Sequence, residues 1–235
     1  MDSINISYKF NLGTQGEERF DLQLDAKTLE LIPIAGQEPP KWTDLTFHQC
    51  PHCPLDHHEH TYCPVAANIS RVIWGFDKVV SYDDIDLEVN TNARLVSQRT
   101  SAQKAISSLL GLLFATSGCP HTNYMKPMAR FHLPLATEED TIFRAAGMYL
   151  LAQFFLKRDG AEADLELVGL TEIYKNLHIV NTSIAERIKS IAATDSSTNA
   201  VIILDTFTNI MPFVIEDHLD EIRHLFSAYL SNQQA

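Results

Sequence analysis

Positive charge is scarce in this sequence. Eighteen Lys and Arg face 30 Asp and Glu, a formal net charge of −12, and the basic residues never gather into a run. A chain so charged repels a phosphate backbone and an anionic lipid surface, which excludes generic nucleic-acid and membrane binding. Long apolar runs are also missing: the most apolar stretch, Ile106 to Phe114, is too short to span a bilayer. The first residues, MDSINISYKF, carry no basic n-region and no apolar h-region, so the expected compartment is the cytoplasm, where thiols stay reduced. No GxxxxGK[ST] or GxGxxG phosphate loop is present, and no GxSxG elbow or HExxH helix. Without these signatures a non-enzymatic role is the expectation.

What is present suffices for a substantial core. The 235 residues are 45% hydrophobic and 20% charged, and no segment is polar enough to read as disordered. Residues 4 to 33 alternate apolar and polar side chains, through Ile6, Tyr8, Phe10 and Leu12, then Phe20, Leu22 and Leu24, then Leu29, Leu31 and Ile32. That period of two predicts an antiparallel β-meander with one solvated face. Gly36 to Lys41 reads as a loop. Pro64 suits the first position of a helix whose apolar face is Ala66, Ile69, Val72, Ile73 and Phe76. Alternation returns over 83 to 99, predicting one or two strands.

The remainder reads as helical. Ser101 is the expected N-cap of a helix carrying Ile106, Leu109, Leu110, Leu113 and Phe114, with Gly118 at its C-terminal end. Thr137 followed by Glu138, Glu139 and Asp140 is a capped, acidic first turn. The helix it opens is apolar from Ile142 to Phe155 and is expected to be central, ending at Asp159-Gly160. Leu170, Ile173, Tyr174, Leu177, Ile184, Ile188 and Ile191 form a further stripe. Asp195 to Asn199 reads as a loop, followed by helices at 201–210 and 219–230 that Pro212 separates. The predicted fold class is α+β. A strand-rich part, 1–100, carries the Cys/His loop (47–64) and one helix; a helical part, 101–235, joins it in one compact unit.

The candidate chemistry lies in FHQCPHCPLDHHEHTYCP, residues 47–64. This stretch has no periodicity and needs something to organise it. Cys50 and Cys53 form a CxxC pair, a spacing that lets one short turn aim two sulfurs at one ion. Pro54 departs from the usual zinc knuckle, which favours glycine there for its positive φ. Cys63, just ahead of a helix, is the expected third ligand, because helix N–H groups favour a thiolate. Cys119 is the expected fourth, tying the two parts of the chain together. Zinc is the expected ion. His121, two residues beyond Cys119, and His60 are rival fourth ligands, whereas His57, His58 and His60 otherwise read as solvated. The alternatives are a redox dithiol at Cys50/Cys53, inert buried cysteines, and haem or iron–sulfur ligation.

Other features have ordinary readings. His132 with Arg130 could line a polar pocket, or be a hydrogen-bonded histidine near a helix start. Met125 and Met128 suit gap filling more than Cu(I) binding. Asp83, Asp84 and Asp86 lack calcium-loop spacing.

The stretches WTDLTFHQCPHCPL (42–55), YCPVAANI (62–69) and 108–155 together resemble an uncharacterised bacterial protein family. The resemblance implies a bacterial cytoplasmic protein and no particular activity. The sequence therefore leads to a metal-stabilised protein, with zinc the expected ion, whose partner is an unknown protein or small molecule. A metal- or thiol-dependent enzyme, or a redox sensor at Cys50/Cys53, is the alternative.

Overall fold

The computed structural model describes residues 3–33, 38–191, 195–215 and 219–231. Gly36 and Gln37 of the predicted 36–41 loop lie outside the described residues.

Strands β1 (Ser3–Asn11), β2 (Glu17–Asp25), β3 (Asp84–Thr91) and β4 (Leu95–Ser101) form one antiparallel sheet in the order β2-β1-β3-β4. Two hairpins thus meet along β1 and β3. The register places Tyr8 opposite both Phe20 and Val89, and Phe10 opposite Leu87, so the predicted alternation becomes one buried face. The third strand expected near Leu29–Ile32 shrinks to a single bridge, Leu24 to Leu31, and β3 takes the neighbouring place on the other side of β1.

The helices are α1 (Pro64–Gly75), α2 (Ala102–Ala115), α3 (Lys126–Arg130), α4 (Glu138–Arg158), α5 (Val168–Lys189), α6 (Ser196–Phe213) and α7 (Ser227–Leu230). A 3-10 segment, Leu219–Phe226, occupies much of the predicted 219–230 helix. Pro64 is the first residue of α1, with Cys63 as its N-cap. Thr137 and Asp140 close a reciprocal capping box on α4: the Asp140 N–H donates to Thr137 Oγ1 at 3.1 Å and the Thr137 N–H donates to Asp140 Oδ2 at 2.9 Å. Ser101 holds the N-cap position of α2, but its hydroxyl makes no capping bond.

Three expectations give way. The central helix is α2, which is buried on nearly every side, and not α4. On α4 only Ile142, Ala145, Ala146, Tyr149 and Gln153 are buried, while Phe143, Leu151, Phe154 and Leu156 are exposed. Apolar content shows that a helix has an apolar surface; it does not show how much of that surface the fold covers. The predicted loop at 195–199 is instead the start of α6, with Asp195 as N-cap. Its Oδ1 and Oδ2 accept from the Ser81 N–H and hydroxyl, fixing that helix end to the turn before β3. Pro212 does not separate two helices. It lies in the last turn of α6, where its ring removes only the bond that the Thr208 carbonyl would otherwise accept.

Two apolar clusters result. The larger joins the buried sheet face to α1, α2, the second half of α5 (Val180, Ile184, Ile188) and the start of α6. The smaller is built from α4, the first half of α5 (Leu170, Tyr174, Leu177) and the end of α6, with Met125 packed against both.

Candidate thiol centre and interior cavity

The main chain brings three separate segments of cysteine together. The Cys53 N–H donates to the Cys50 carbonyl at 3.0 Å, closing the CPHC turn. The positive φ that Pro54 forbids falls on His48 instead, at 45°, two residues ahead of the turn. The Cys63 N–H donates to the Thr43 carbonyl at 2.8 Å, which anchors the start of α1 to residues 42–45. Asn68 on α1 donates to the Leu113 and Thr116 carbonyls, binding α1 to the end of α2 just before Cys119.

The surroundings of the four thiols are apolar and nearly dry. Cys63 and Cys119 are each 8% exposed, and Cys50 and Cys53 are half-buried at the edge of the larger core. All four are free thiols. Burial pushes the Cys50 thiol up to about 11, against a hydrogen bond from Ser183, and the neighbouring Cys63, Cys119 and Cys53 add to the rise. Burial also raises the Cys119 thiol, opposed by the main-chain N–H groups of His121 and Thr122 that point at its sulfur. The four groups therefore sense one another. They do not yet stand at ligand spacing. Among the described residues, the one group of three or more His, Cys, Asp or Glu ligand atoms mutually within 4.8 Å is Asp56, His57 and His58. Those three are consecutive and exposed, and their proximity follows from the turn that Asp56 caps.

One residue of this centre escaped sequence reading. Arg187, on α5, is 1% exposed, and among the described residues it forms no ion pair with a carboxylate. Nη1 donates to the Trp42 and Asp44 carbonyls at 3.0 and 2.8 Å, and Nη2 to the Leu45 carbonyl at 3.1 Å. Its Nε is buried without an acceptor. Burial pushes the Arg187 pKa down, and Cys63, Cys50 and Cys53, then Asp44, oppose that shift. A buried guanidinium without a carboxylate is costly unless some anionic group offsets it. No periodic or motif signal marks it, since an arginine in an amphipathic helix usually lies on the solvated side.

The histidines divide. His52 and His121 stack with centroids 3.9 Å apart and planes 6° apart. The His121 Nε2–H donates to the His52 carbonyl, and the His52 Nε2–H donates to the Asn176 carbonyl. This leaves His52 Nδ1 buried without a partner. His121 is thus held beside the cysteines, whereas His60, the other rival ligand, is an exposed residue of the 56–60 turn.

A cavity of about 520 Å³ opens elsewhere, lined from β4, α2, α3, α4, α5 and α6. His132 lines it and meets the Tyr8 hydroxyl, which also contacts Ser108 Oγ at 3.1 Å. Burial, then the charge of Arg144, lowers the His132 pKa to about 4, so the ring is neutral at ordinary pH. The cationic neighbour is Arg144 and not Arg130, which is exposed and lies over the Phe131 ring.

Sheet and helices together define an α+β protein whose strand-rich and helical parts share one large apolar core, with the four cysteines at its edge or within it. By sequence the chain belongs to the family described as a domain of unknown function, DUF6901, which matches residues 6–227. No curated protein and no solved structure matches the chain. Among the described residues, no helix is long and apolar enough to cross a membrane.

Proposed function

We propose that this is a bacterial cytoplasmic protein that binds one zinc ion through Cys50, Cys53, Cys63 and Cys119, and that the ion serves structure while the protein acts in binding or regulation. The observation that carries this reading is the buried Arg187 guanidinium set among Cys63, Cys50 and Cys53, with Asp44 as a weaker carboxylate influence and no ion pair to it. Four thiolates around one divalent ion leave a net charge of about −2, which a guanidinium offsets. The donor set also fits in kind. Cys119 is backed by two main-chain N–H groups, the donors a bound thiolate accepts from. A tetrahedral site needs sulfurs about 3.8 Å apart. The ion would therefore draw the thiols inward, and its binding energy would contribute to folding.

The arrangement gives less support to a thiol nucleophile or redox dithiol. Reactive cysteines have lowered pKa values and access to solvent, whereas burial raises Cys50 and Cys119. Elemental analysis of the purified protein tests the proposal. About one zinc per chain, lost in Cys50→Ser and Cys63→Ser, is the expected result. A metal-free protein whose thermal transition is unmoved by chelator would count decisively against it.

A further inference from the structure

The cavity at the seam between the two apolar clusters has the features of a ligand site that owes nothing to the cysteines. Its volume of about 520 Å³ falls within the range of small-molecule pockets. Its walls are largely apolar: Leu112 comes from the larger core, with Leu204 packed against that core, Leu177 comes from the smaller, and Met125 packs against both.

Polar groups line the cavity as well, and two of them, Arg144 and Tyr174, lie close together. Tyr174 is only 4% exposed, lines the cavity, and makes no hydrogen bond through its hydroxyl with any described residue. Its hydroxyl is not sealed in the core, so it is available to bond a ligand acceptor in the cavity. Arg144, close enough to Tyr174 for their charges to interact, is half-buried. Its Nη2 donates to the Met128 and Phe131 carbonyls at 2.9 and 3.0 Å. That fixes the guanidinium while leaving its other N–H groups without acceptors, and it forms no ion pair among the described residues. The nearest acid on its own helix, Asp140, is committed to the Thr137 cap. Of the other charged lining residues, Lys104 is a second cation and Glu138 an opposing carboxylate. In a chain of net charge −12, a fixed cation facing an apolar cavity is a specific feature.

We propose that this cavity binds a small amphipathic monocarboxylate, its carboxylate held by Arg144 and the Tyr174 hydroxyl and its apolar body lying against Leu112, Met125, Leu177 and Leu204. The head group would accept a charge-assisted bond and the tyrosine bond, and the body would replace an apolar void. This site is independent of the proposed zinc centre, so the failure of either leaves the other standing.

Calorimetric titration of the full chain with octanoate and with 1-octanol tests it. Octanoate is expected to bind, and 1-octanol to bind ~10-fold or more weakly, because it carries no charge for Arg144. Arg144→Gln should weaken octanoate by a similar ~10-fold and leave 1-octanol unchanged. Tyr174→Phe, which keeps the ring packing, should weaken octanoate less but measurably, and covers the case in which Arg144→Gln unfolds. Gly111 supplies a blocking variant: a Cβ there meets only the Leu204 side chain, at 3.5 Å, so Gly111→Leu projects into the cavity. It should abolish binding of both probes while the protein keeps its circular dichroism. The proposal is overturned if octanoate does not bind at millimolar concentration, if it binds equally well to folded Gly111→Leu, or if it and 1-octanol bind alike.

Discussion

His52 and His121 stack face to face, 6° from parallel, although 69 residues separate the bonded pair along the chain. Each follows a Cys-Pro step, in Cys50-Pro51-His52 and Cys119-Pro120-His121. The stack therefore brings the CPHC turn against the loop of the most distant cysteine before any ion is considered. It also separates the two candidates for the fourth ligand. His121→Phe keeps an aromatic face for the stack but removes both ring nitrogens. If Cys119 is the ligand, His121→Phe should retain about one zinc per chain while Cys119→Ser loses it. The reverse pattern in elemental analysis would assign the site to Cys₃His.

Arg187 should matter more to stability than any exposed charge. Arg187→Met keeps the length of the side chain but leaves the Trp42 and Leu45 carbonyls without their donor, while the Asp44 carbonyl keeps only the Phe47 N–H. The expected cost is about 3–5 kcal/mol in urea unfolding, from orphaned buried acceptors. Arg187→Lys should recover only part of this, because a single ammonium lacks the planar fork that reaches three carbonyls. If Arg187→Met also lowers zinc retention, its charge acts on the thiols as well as on the loop. An unchanged unfolding midpoint would remove the structural role argued for it.

Gly169, on the first turn of α5, sets up a two-residue test. A Cβ there would come within 2.2 Å of the Tyr149 hydroxyl oxygen. That hydroxyl is not free to swing away, since it donates to Asp164 Oδ2 at 2.8 Å, and the Gly169 N–H donates to the same oxygen at 2.8 Å. Gly169→Ala should cost about 1–3 kcal/mol through overpacking. In a Tyr149→Phe background, which removes the clashing oxygen, the cost of Gly169→Ala should fall. Additive effects in a double-mutant cycle would show that the two residues do not meet.

His132 predicts the shape of the acid limb. In the fold its pKa is lowered to about 4, while in the unfolded chain it takes the ordinary value of about 6.5. Between those values the unfolded state binds more protons, so stability rises with pH across this window. The contribution is fully present above about pH 6.5, declines as pH falls, and is gone below about pH 4. Its size is on the order of 3 kcal/mol, from the burial that favours the neutral ring. His132→Gln should flatten the profile of unfolding free energy across this window, and an unaltered profile would contradict the burial of the ring.

Thr137→Ala should cost about 1 kcal/mol, because it breaks the capping box that begins α4. Thermal melts of the variant measure this directly.

Much of this fold was legible in the sequence because it rests on local rules. The alternation of Ile6, Tyr8 and Phe10 specified a half-buried strand, and Pro64 and Thr137 marked the helix starts to the residue. What was not legible depends on which surfaces the tertiary structure covers. The apolar residues of α4 look the same in sequence whether or not a neighbour packs on them, so the exposure of Phe143, Leu151 and Phe154 had no local signal. Pro212 was read as a breaker, yet in a last turn it removes only one bond. The candidate centre shows the same division. Cys50, Cys53, Cys63 and Cys119 stood out by spacing, whereas Arg187 is one of many charges on a long helix. The cavity could not be read at all, since its walls come from positions scattered between Gln98 and Thr208.

The bonds from Arg187 to Trp42, Asp44 and Leu45 span 142 to 145 residues. A ribosome makes the Cys50–Cys63 loop long before it makes α5, so for most of synthesis these thiols have neither their guanidinium neighbour nor Cys119. Until α5 is made, the three cysteines and several histidines of this loop lack the contacts that cover them in the fold. Arrival of α5 ends that interval by clamping residues 42–45. For the proposed zinc site, the order of synthesis would place metal capture before this late contact forms.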